Sequence, residues 1–225
     1  MPTLRPRRTQ RPQEWLAQNL SMLLLPTPDF ADCLQAMAER EEIYTLQGHV
    51  QADDAYLGGE HPGGKAGRGS ENKVPFVAAV SLDEQHHPIY AKFTAIPDFT
   101  RTAIADWARD FLTPGCTVLT DGLAYFNGVA DAHCHHDVIV AGGRKPRELP
   151  QFLWVNTLLS NLKTSTSGAY HAFKFSKYAQ RYLSAVTYRF NRRFRLADLP
   201  ASLLRAAVSI GPRSERWLRA AEESC

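Results

Sequence analysis

Apolar residues in the first half of the chain form runs that are typical of β-strands. Two such runs occupy residues 74–82 and 89–94, and a strand with carboxylates in its middle is predicted before them at residues 48–57. A Gly-rich loop at residues 58–72 separates the first strand from the second, and a polar turn at 83–88 joins the second to the third. Segments connected in this way predict an antiparallel meander of three strands.

Helical spacing of apolar residues appears next and then alternates with short strands. Thr100 or Thr102 is placed to cap a helix that ends before Pro114. The later elements are predicted to be a strand at 116–120, a helix at about 123–132, a strand at 137–141 and a helix that contains Asn156. The order β-β-β-α-β-α-β-α predicts an α/β fold with helices packed on a mixed sheet.

Three polar residues fall where the elements of such a sheet converge. Asp53 lies in the middle of the first strand, Asp121 at the end of the fourth, and Asn156 on the helix after the fifth. In an open α/β sheet, strand ends and adjacent helix starts meet at one crevice, so three oxygen donors can meet there. Lys163 follows Asn156 by seven residues, and two helical turns place both on one face. This pattern predicts a metal-dependent phosphoryl-transfer site.

Charge is distributed unevenly along the chain. The net charge is only +3, but residues 144–219 contain fifteen Lys and Arg against three Asp and Glu, a balance of +12. The remainder of the chain contains eleven Lys and Arg against twenty Asp and Glu, a balance of −9. This asymmetry favours a polyanionic partner for the basic part, although solvated helix faces explain the charge balance equally well.

The basic segment also contains aromatic residues. Residues 171–195 hold seven Lys and Arg and no acid, interleaved with Phe and Tyr. These aromatics recur at helical spacing, which is more typical of a core than of a platform for nucleic-acid bases. The candidate phosphate contacts are Lys65, Arg68, Lys174, Lys177, Arg181, Arg189, Arg192 and Arg193.

The cysteines favour a cytoplasmic protein. Four cysteines are scattered along the chain and no Cys-x-x-Cys pattern occurs, which is typical of a reducing compartment. The apolar run at residues 20–25 is too short to span a bilayer, so we expect no membrane partner.

Several motifs together resemble those of bacterial insertion-sequence transposases with an ISXO-type DDE domain. They lie at residues 50–60, 67–73, 120–122, 154–157, 161–163, 168–171 and 188–193. The resemblance covers residues from about 40 to 200 and implies a ribonuclease H-like fold, in agreement with the element order. It also implies a transposase that cleaves DNA and transfers the strand.

The resemblance implies which residues bind the metal. Asp53 and Asp121 would be the acidic ligands of two Mg²⁺ or Mn²⁺ ions, and the third position of the family is Glu or Asn. Asn156 is placed there because of its spacing to Lys163, with Asn161 as the alternative. Asp54 is expected to be a poorer ligand because it points to the opposite face of the strand.

The resemblance also implies partners and domain boundaries. Double-stranded DNA is the expected substrate, and the active complex is expected to be a homo-oligomer. The expected divisions are a tail and helix at 1–46, the catalytic domain at 47–200 and a helical tail at 201–225. Members of this family usually carry a zinc ribbon and a helix-turn-helix before the first strand, and this chain does not. It is therefore expected to be a truncated or frame-disrupted copy, or to depend on another polypeptide to recognise the element's ends.

Two alternatives to an active transposase remain open from the sequence. One is a catalytically inactive, truncated remnant that still binds DNA. The other is a ribonuclease H-like repair or RNA nuclease, which would need a Glu or Asp in place of Asn156.

Overall fold

The computed structural model describes residues 30–58, 73–140, 142–169 and 175–210, together with Ser214 and Trp217. The strands in these ranges are β1 (His49–Leu57), β2 (Val74–Leu82), β3 (Pro88–Ala95), β4 (Thr117–Thr120) and β5 (His135–Val138). The α-helices are α1 (Phe30–Glu42), α2 (Arg101–Phe111), α3 (Leu153–Ala169), α4 (Phe175–Asn191) and α5 (Leu199–Ile210). The 3₁₀ segments are Ala124–Ala132, Pro146–Glu148, Pro150–Phe152 and Arg193–Asp198.

The strands form one mixed sheet in the order β3-β2-β1-β4-β5. Strands β1, β2 and β3 pair antiparallel, which confirms the predicted meander. Strand β4 is parallel to β1, and β5 is parallel to β4. This arrangement confirms the predicted ribonuclease H-like fold.

Helices cover both faces of the sheet because its strands are apolar on both sides. On one face, Val50 and Ala52 pack against Ile104 and Trp107 of α2 and Phe126 of the 3₁₀ segment that follows β4. The other face packs against α3 and α4. Its buried side chains are Phe76, Val80, Phe93, Val155, Leu158, Leu162 and Leu183. Side chains alternate along β1, so Gln51 and Asp53 belong to the α3 face.

The predicted boundaries differ from the structure mainly around β5. This strand runs from His135 to Val138 and not over residues 137–141. It lies at the edge of the sheet and three of its four side chains are exposed, so burial does not impose an apolar pattern on it. The apolar run that suggested the later boundary lies mostly beyond the strand. The helix expected at about 123–132 is the 3₁₀ segment Ala124–Ala132.

Strand β3 is the other edge of the sheet, and side chains of α4 cover it. The Asn191 amide accepts a hydrogen bond from the Ala91 N–H and donates one to the Ala91 carbonyl. Gln180 does the same three turns earlier, accepting from Ala95 N at 2.8 Å and donating to the Phe93 carbonyl at 3.0 Å. The amides of α4 thus satisfy backbone groups that an exposed edge strand would offer to another chain.

Helix α1 is joined to α4 by a buried ion pair. Glu41 is 4% exposed, and its carboxylate accepts hydrogen bonds from Asn191 and from Arg192, the latter at 2.7 Å. The Arg192 guanidinium also stacks on the Tyr188 ring. Helix α5 packs on α1, so both terminal helices of the described part join one layer. Among the helices of the described ranges, none is long and apolar enough to cross a membrane.

Gly128 allows the 3₁₀ segment after β4 to pack closely on α2. A Cβ at this position would lie 2.3 Å from the Arg101 carbonyl oxygen and 2.9 Å from Ala105 N. Both atoms belong to the α2 backbone and cannot rotate away. We therefore expect Gly128→Ala to lower the free energy of unfolding by about 1–3 kcal/mol, measured by urea denaturation. The neighbouring exposed Asn127→Ala is the control, and an equal effect of both would refute the packing explanation.

Candidate metal centre

Asp53 and Asp121 lie side by side because of the parallel register of β1 and β4. The register pairs Gln51 with Leu119, which is the last pair of the two strands. Each aspartate follows its member of this pair by two residues. The two carboxylates therefore lie at the same level, just beyond the end of the parallel ladder. The predicted convergence of these two residues is present in the structure.

Asp54 joins the two predicted aspartates. One carboxylate oxygen from each of Asp53, Asp54 and Asp121 lies within 4.8 Å of the others, and all three residues are half-buried. Strand alternation makes Asp54 the poorer candidate ligand, yet its carboxylate reaches the cluster. Since β4 does not pair with β1 beyond Gln51, that edge of β1 is open, and neighbouring side chains can both reach it. The Asp54 N–H also donates to Asp53 Oδ1 at 2.9 Å.

The turn after β4 holds Asp121 in place. Asp121 Oδ1 accepts a hydrogen bond from Leu123 N at 3.3 Å. The preceding Thr120 is fully buried, and its hydroxyl bonds to His136 Nε2 of β5 at 2.8 Å and accepts from Gly122 N. Gly122 has a φ of +91°, and a Cβ there would lie 2.7 Å from Val138 Cγ1. The turn is therefore fixed on both sides of the carboxylate.

Burial affects the histidine of this turn. His136 is half-buried, and its burial lowers its pKa below the ordinary value, an effect that the nearby Asp137 charge opposes. The neutral imidazole is therefore favoured beside Thr120. This histidine contributes to the support of the turn, a role that its position in the sequence does not reveal.

Asn156 lies on the first turn of α3, on the helix that covers the Asp53 face of the sheet. It is half-buried and directly follows Val155, which is fully buried. Lys163 is exposed two turns later on the same flank, and its ammonium group makes no ion pair with a described residue. Asn161 is exposed and lies about 140° around the helix from Asn156, given about 100° per residue. Asn156 and Asn161, the two candidates for the third ligand, therefore lie on different sides of α3.

The candidate phosphate contacts occupy different environments. Lys65, Arg68 and Lys174 lie outside the described residues. Arg181 is 3% exposed, and Arg192 forms the ion pair with Glu41, so both side chains have roles inside the fold. Arg193 donates hydrogen bonds to the carbonyls of Phe190 and Pro88. Arg189 is exposed and Lys177 is partly exposed.

The donor set of the cluster fits a hard divalent cation. Carboxylate oxygens are the preferred protein ligands of Mg²⁺ and Mn²⁺, and an amide oxygen such as that of Asn156 is a weaker ligand of the same kind. Three carboxylates this close together repel one another, and a bound cation removes that repulsion. The cluster is therefore suited to divalent cations.

A comparison with known protein families identifies the domain. The family model described as ISXO2-like transposase domain matches residues 45–191, about two thirds of the chain. The chain belongs to this transposase family. The matched region runs from just before β1 to the end of α4, and it includes the three aspartates, Asn156 and Lys163. No curated protein matches the chain.

Solved structures similar to this transposase domain include an intasome and two Mos1 complexes. The simian T-cell lymphotropic virus intasome with PP2A regulatory subunit B56 gamma has a TM-score of 0.41 and 10% identity, over 65% of this chain and 49% of that chain. The Mos1 strand transfer complex has a TM-score of 0.33 and 14% identity, over 90% of this chain and 71% of that chain. The Mos1 mariner paired end complex with Mn has a TM-score of 0.30 and 13% identity, over 90% of this chain and 72% of that chain. The chain spans about half the length of the chain that it matches in the intasome structure.

Proposed function

We propose that this chain is a DDE-type transposase domain that cleaves DNA and transfers the strand with two bound Mg²⁺ or Mn²⁺ ions. The observation that carries the proposal is the convergence of Asp53 and Asp121 at the end of the β1–β4 ladder, in a chain of a transposase family. Divalent ions bound there would stabilise the attacking and leaving oxygens of a phosphodiester.

The residues around the cluster have separate roles in this proposal. Asp53 and Asp121 bind the cations, Asn156 adds a neutral oxygen, and Asp54 is close enough to contribute a further carboxylate. Lys163 holds a phosphate group of the DNA as a point charge, two turns along α3 from Asn156. The crevice thereby orients a phosphodiester between cations and an ammonium group.

The proposed DNA surface contains fewer basic residues than the sequence suggested. Arg189, Lys177 and Arg193 are retained because they are at least partly exposed, and Lys65, Arg68 and Lys174 remain proposals. Arg181 is left out because it is buried, and Arg192 because its guanidinium group pairs with the buried Glu41. Double-stranded DNA is the proposed substrate, and a homo-oligomer is the proposed active form.

Calorimetric titration with Mn²⁺ tests the proposal without knowledge of the DNA sequence that the protein recognises. We expect saturable binding by the wild type and none by Asp53→Asn or Asp121→Asn, because each amide removes a negative charge and a ligand oxygen. Asp106→Asn is the matched control, since Asp106 lies on α2 in an exposed pair with Arg109. No binding by the wild type, even with duplex DNA present, would favour a DNA-binding remnant without catalysis.

A further inference from the structure

Gln51 lies at the point where β1, β4 and α3 meet. It is 5% exposed, and its side chain points to the α3 face of the sheet. Its Oε1 atom accepts two hydrogen bonds, from Trp154 N and from Val155 N, both at 3.1 Å. A carbonyl oxygen has two lone pairs, so this one atom satisfies two of the amides that a helix start leaves unpaired.

Each proposed ligand follows Gln51 or one of its partners by one or two residues. Asp53 follows Gln51 itself by two residues, and Asp121 follows Leu119, the strand partner of Gln51, by two. Asn156 follows Val155 by one. Gln51 therefore connects the three segments immediately before their ligands.

We propose that Gln51 is a positioning residue that fixes Asn156 of α3 relative to Asp53 and Asp121. The inference rests on the proposed metal-binding function of these residues. Two hydrogen bonds from adjacent amides to one oxygen restrict both the sliding and the rotation of the first turn of α3. A shift by one residue would move Asn156 by about 1.5 Å along the axis and turn it by about 100°. Metal ligation tolerates only about 0.2 Å.

A simple capping role predicts a different result from a positioning role. A cap stabilises the helix start, and its loss lowers protein stability wherever the cap is located. A positioning residue also changes the affinity of the metal, and it acts through the ligand that it positions. The two roles are separated by measuring Mn²⁺ affinity together with stability.

The test compares glutamine variants by Mn²⁺ calorimetry and urea unfolding. We expect Gln51→Met, which keeps the length of the side chain but removes the acceptor, to weaken Mn²⁺ binding about 10- to 100-fold. Gln51→Glu keeps an acceptor oxygen at the same length, and its Mn²⁺ affinity stays at or above that of the wild type. Hydrogen exchange at the amides of Trp154 and Val155 is faster in Gln51→Met and normal in Gln51→Glu.

Gln180 provides a matched control. It also ties a helix to a strand through its amide, bonding Ala95 N and the Phe93 carbonyl, but at the β3 edge of the sheet. Gln180→Met is expected to lower stability and to leave Mn²⁺ affinity unchanged. In an Asn156→Ala background, Gln51→Met is expected to have no further effect on affinity, because the residue that it positions is gone.

Specific outcomes would overturn the proposal. It fails if Gln51→Met binds Mn²⁺ like the wild type, if Gln180→Met weakens binding equally, or if the effect of Gln51→Met persists in the Asn156→Ala background. If circular dichroism shows that Gln51→Met does not fold, Gln51→Asn, one methylene shorter, is tested against the same outcomes. Absence of Mn²⁺ binding by the wild type overturns the proposed function as well, whereas normal wild-type binding confines the failure to Gln51.

Discussion

Replacing Asp121 by cysteine is expected to lower the proposed Mg²⁺-dependent nicking of DNA strongly and to leave part of the Mn²⁺-dependent nicking. A thiolate is a poor ligand for Mg²⁺ but an acceptable one for softer divalent ions such as Mn²⁺. We expect a loss of about 100- to 1000-fold with Mg²⁺, which is typical when one group that stabilises developing charge is removed. Supercoiled plasmid DNA is a suitable substrate, because a nick relaxes it whatever its sequence.

The control for this experiment is Asp121→Ser. Serine is similar in size to cysteine and does not supply a thiolate, so it is expected to lose nicking with both metals. If Asp121→Cys and Asp121→Ser behave alike, Asp121 acts through the turn that it forms with Leu123 rather than as a ligand. Wild-type protein that binds the plasmid but does not nick it with either metal would support the inactive DNA-binding alternative.

The sequence predicted the two central aspartates because their positions depend on the order of elements. A buried strand with a polar residue in its middle, and a second strand that ends in Asp121, are visible in the hydrophobic pattern. A parallel register then brings Asp53 and Asp121 to the same level without further information. Local patterns are sufficient for residues whose place follows from the backbone of regular elements.

The closeness of Asp54 to the cluster could not be predicted from alternation along the strand. Alternation gives the face to which a side chain points, but not how far it can reach around an edge left open, and β4 stops pairing with β1 at Gln51. The length of β4 is only four residues, and this length decides how much of β1 has an open edge. Such a boundary depends on tertiary pairing and leaves little trace in the sequence.

The sequence also did not predict which arginines are exposed and which are paired inside the fold. Arg189 and Arg192 lie three residues apart on α4, and both add positive charge to the same basic segment. Only packing reveals that Arg192 meets a buried glutamate from α1, 151 residues away, whereas Arg189 is exposed. Charge counts therefore predict a basic surface but do not identify which residues form it.

Arg192→Leu is expected to destabilise the protein by about 3–5 kcal/mol at neutral pH, because it leaves Glu41 buried without its cation. Burial already raises the pKa of Glu41 above its ordinary value, and the hydrogen bond and charge of Arg192 only partly oppose that rise. Removing Arg192 raises this pKa further. The ionised carboxylate, which is already more costly in the folded state than in the unfolded chain, becomes more costly still.

The pH dependence of this loss identifies its cause. A carboxyl group whose pKa is raised in the folded state contributes its stability below its ordinary pKa of 4.5 and loses it as pH rises through the raised value. The deficit of Arg192→Leu relative to the wild type is therefore expected to be smallest near pH 4.5 and to grow toward neutral pH. Urea unfolding of both proteins at a series of pH values measures this difference.

Arg101→Leu is the matched control for Arg192→Leu. Its partner Asp131 is exposed, and the Arg101 hydrogen bond and charge lower the pKa of that carboxyl. The contribution of this pair is lost only as pH falls toward the acid range, so its effect should be small and flat between about pH 5 and 8. A deficit of Arg192→Leu that is equally flat would mean that the lost stacking on Tyr188, and not the buried charge of Glu41, explains the destabilisation. A deficit that grows with pH would establish that the Glu41–Arg192 pair joins α1 to α4 through charge.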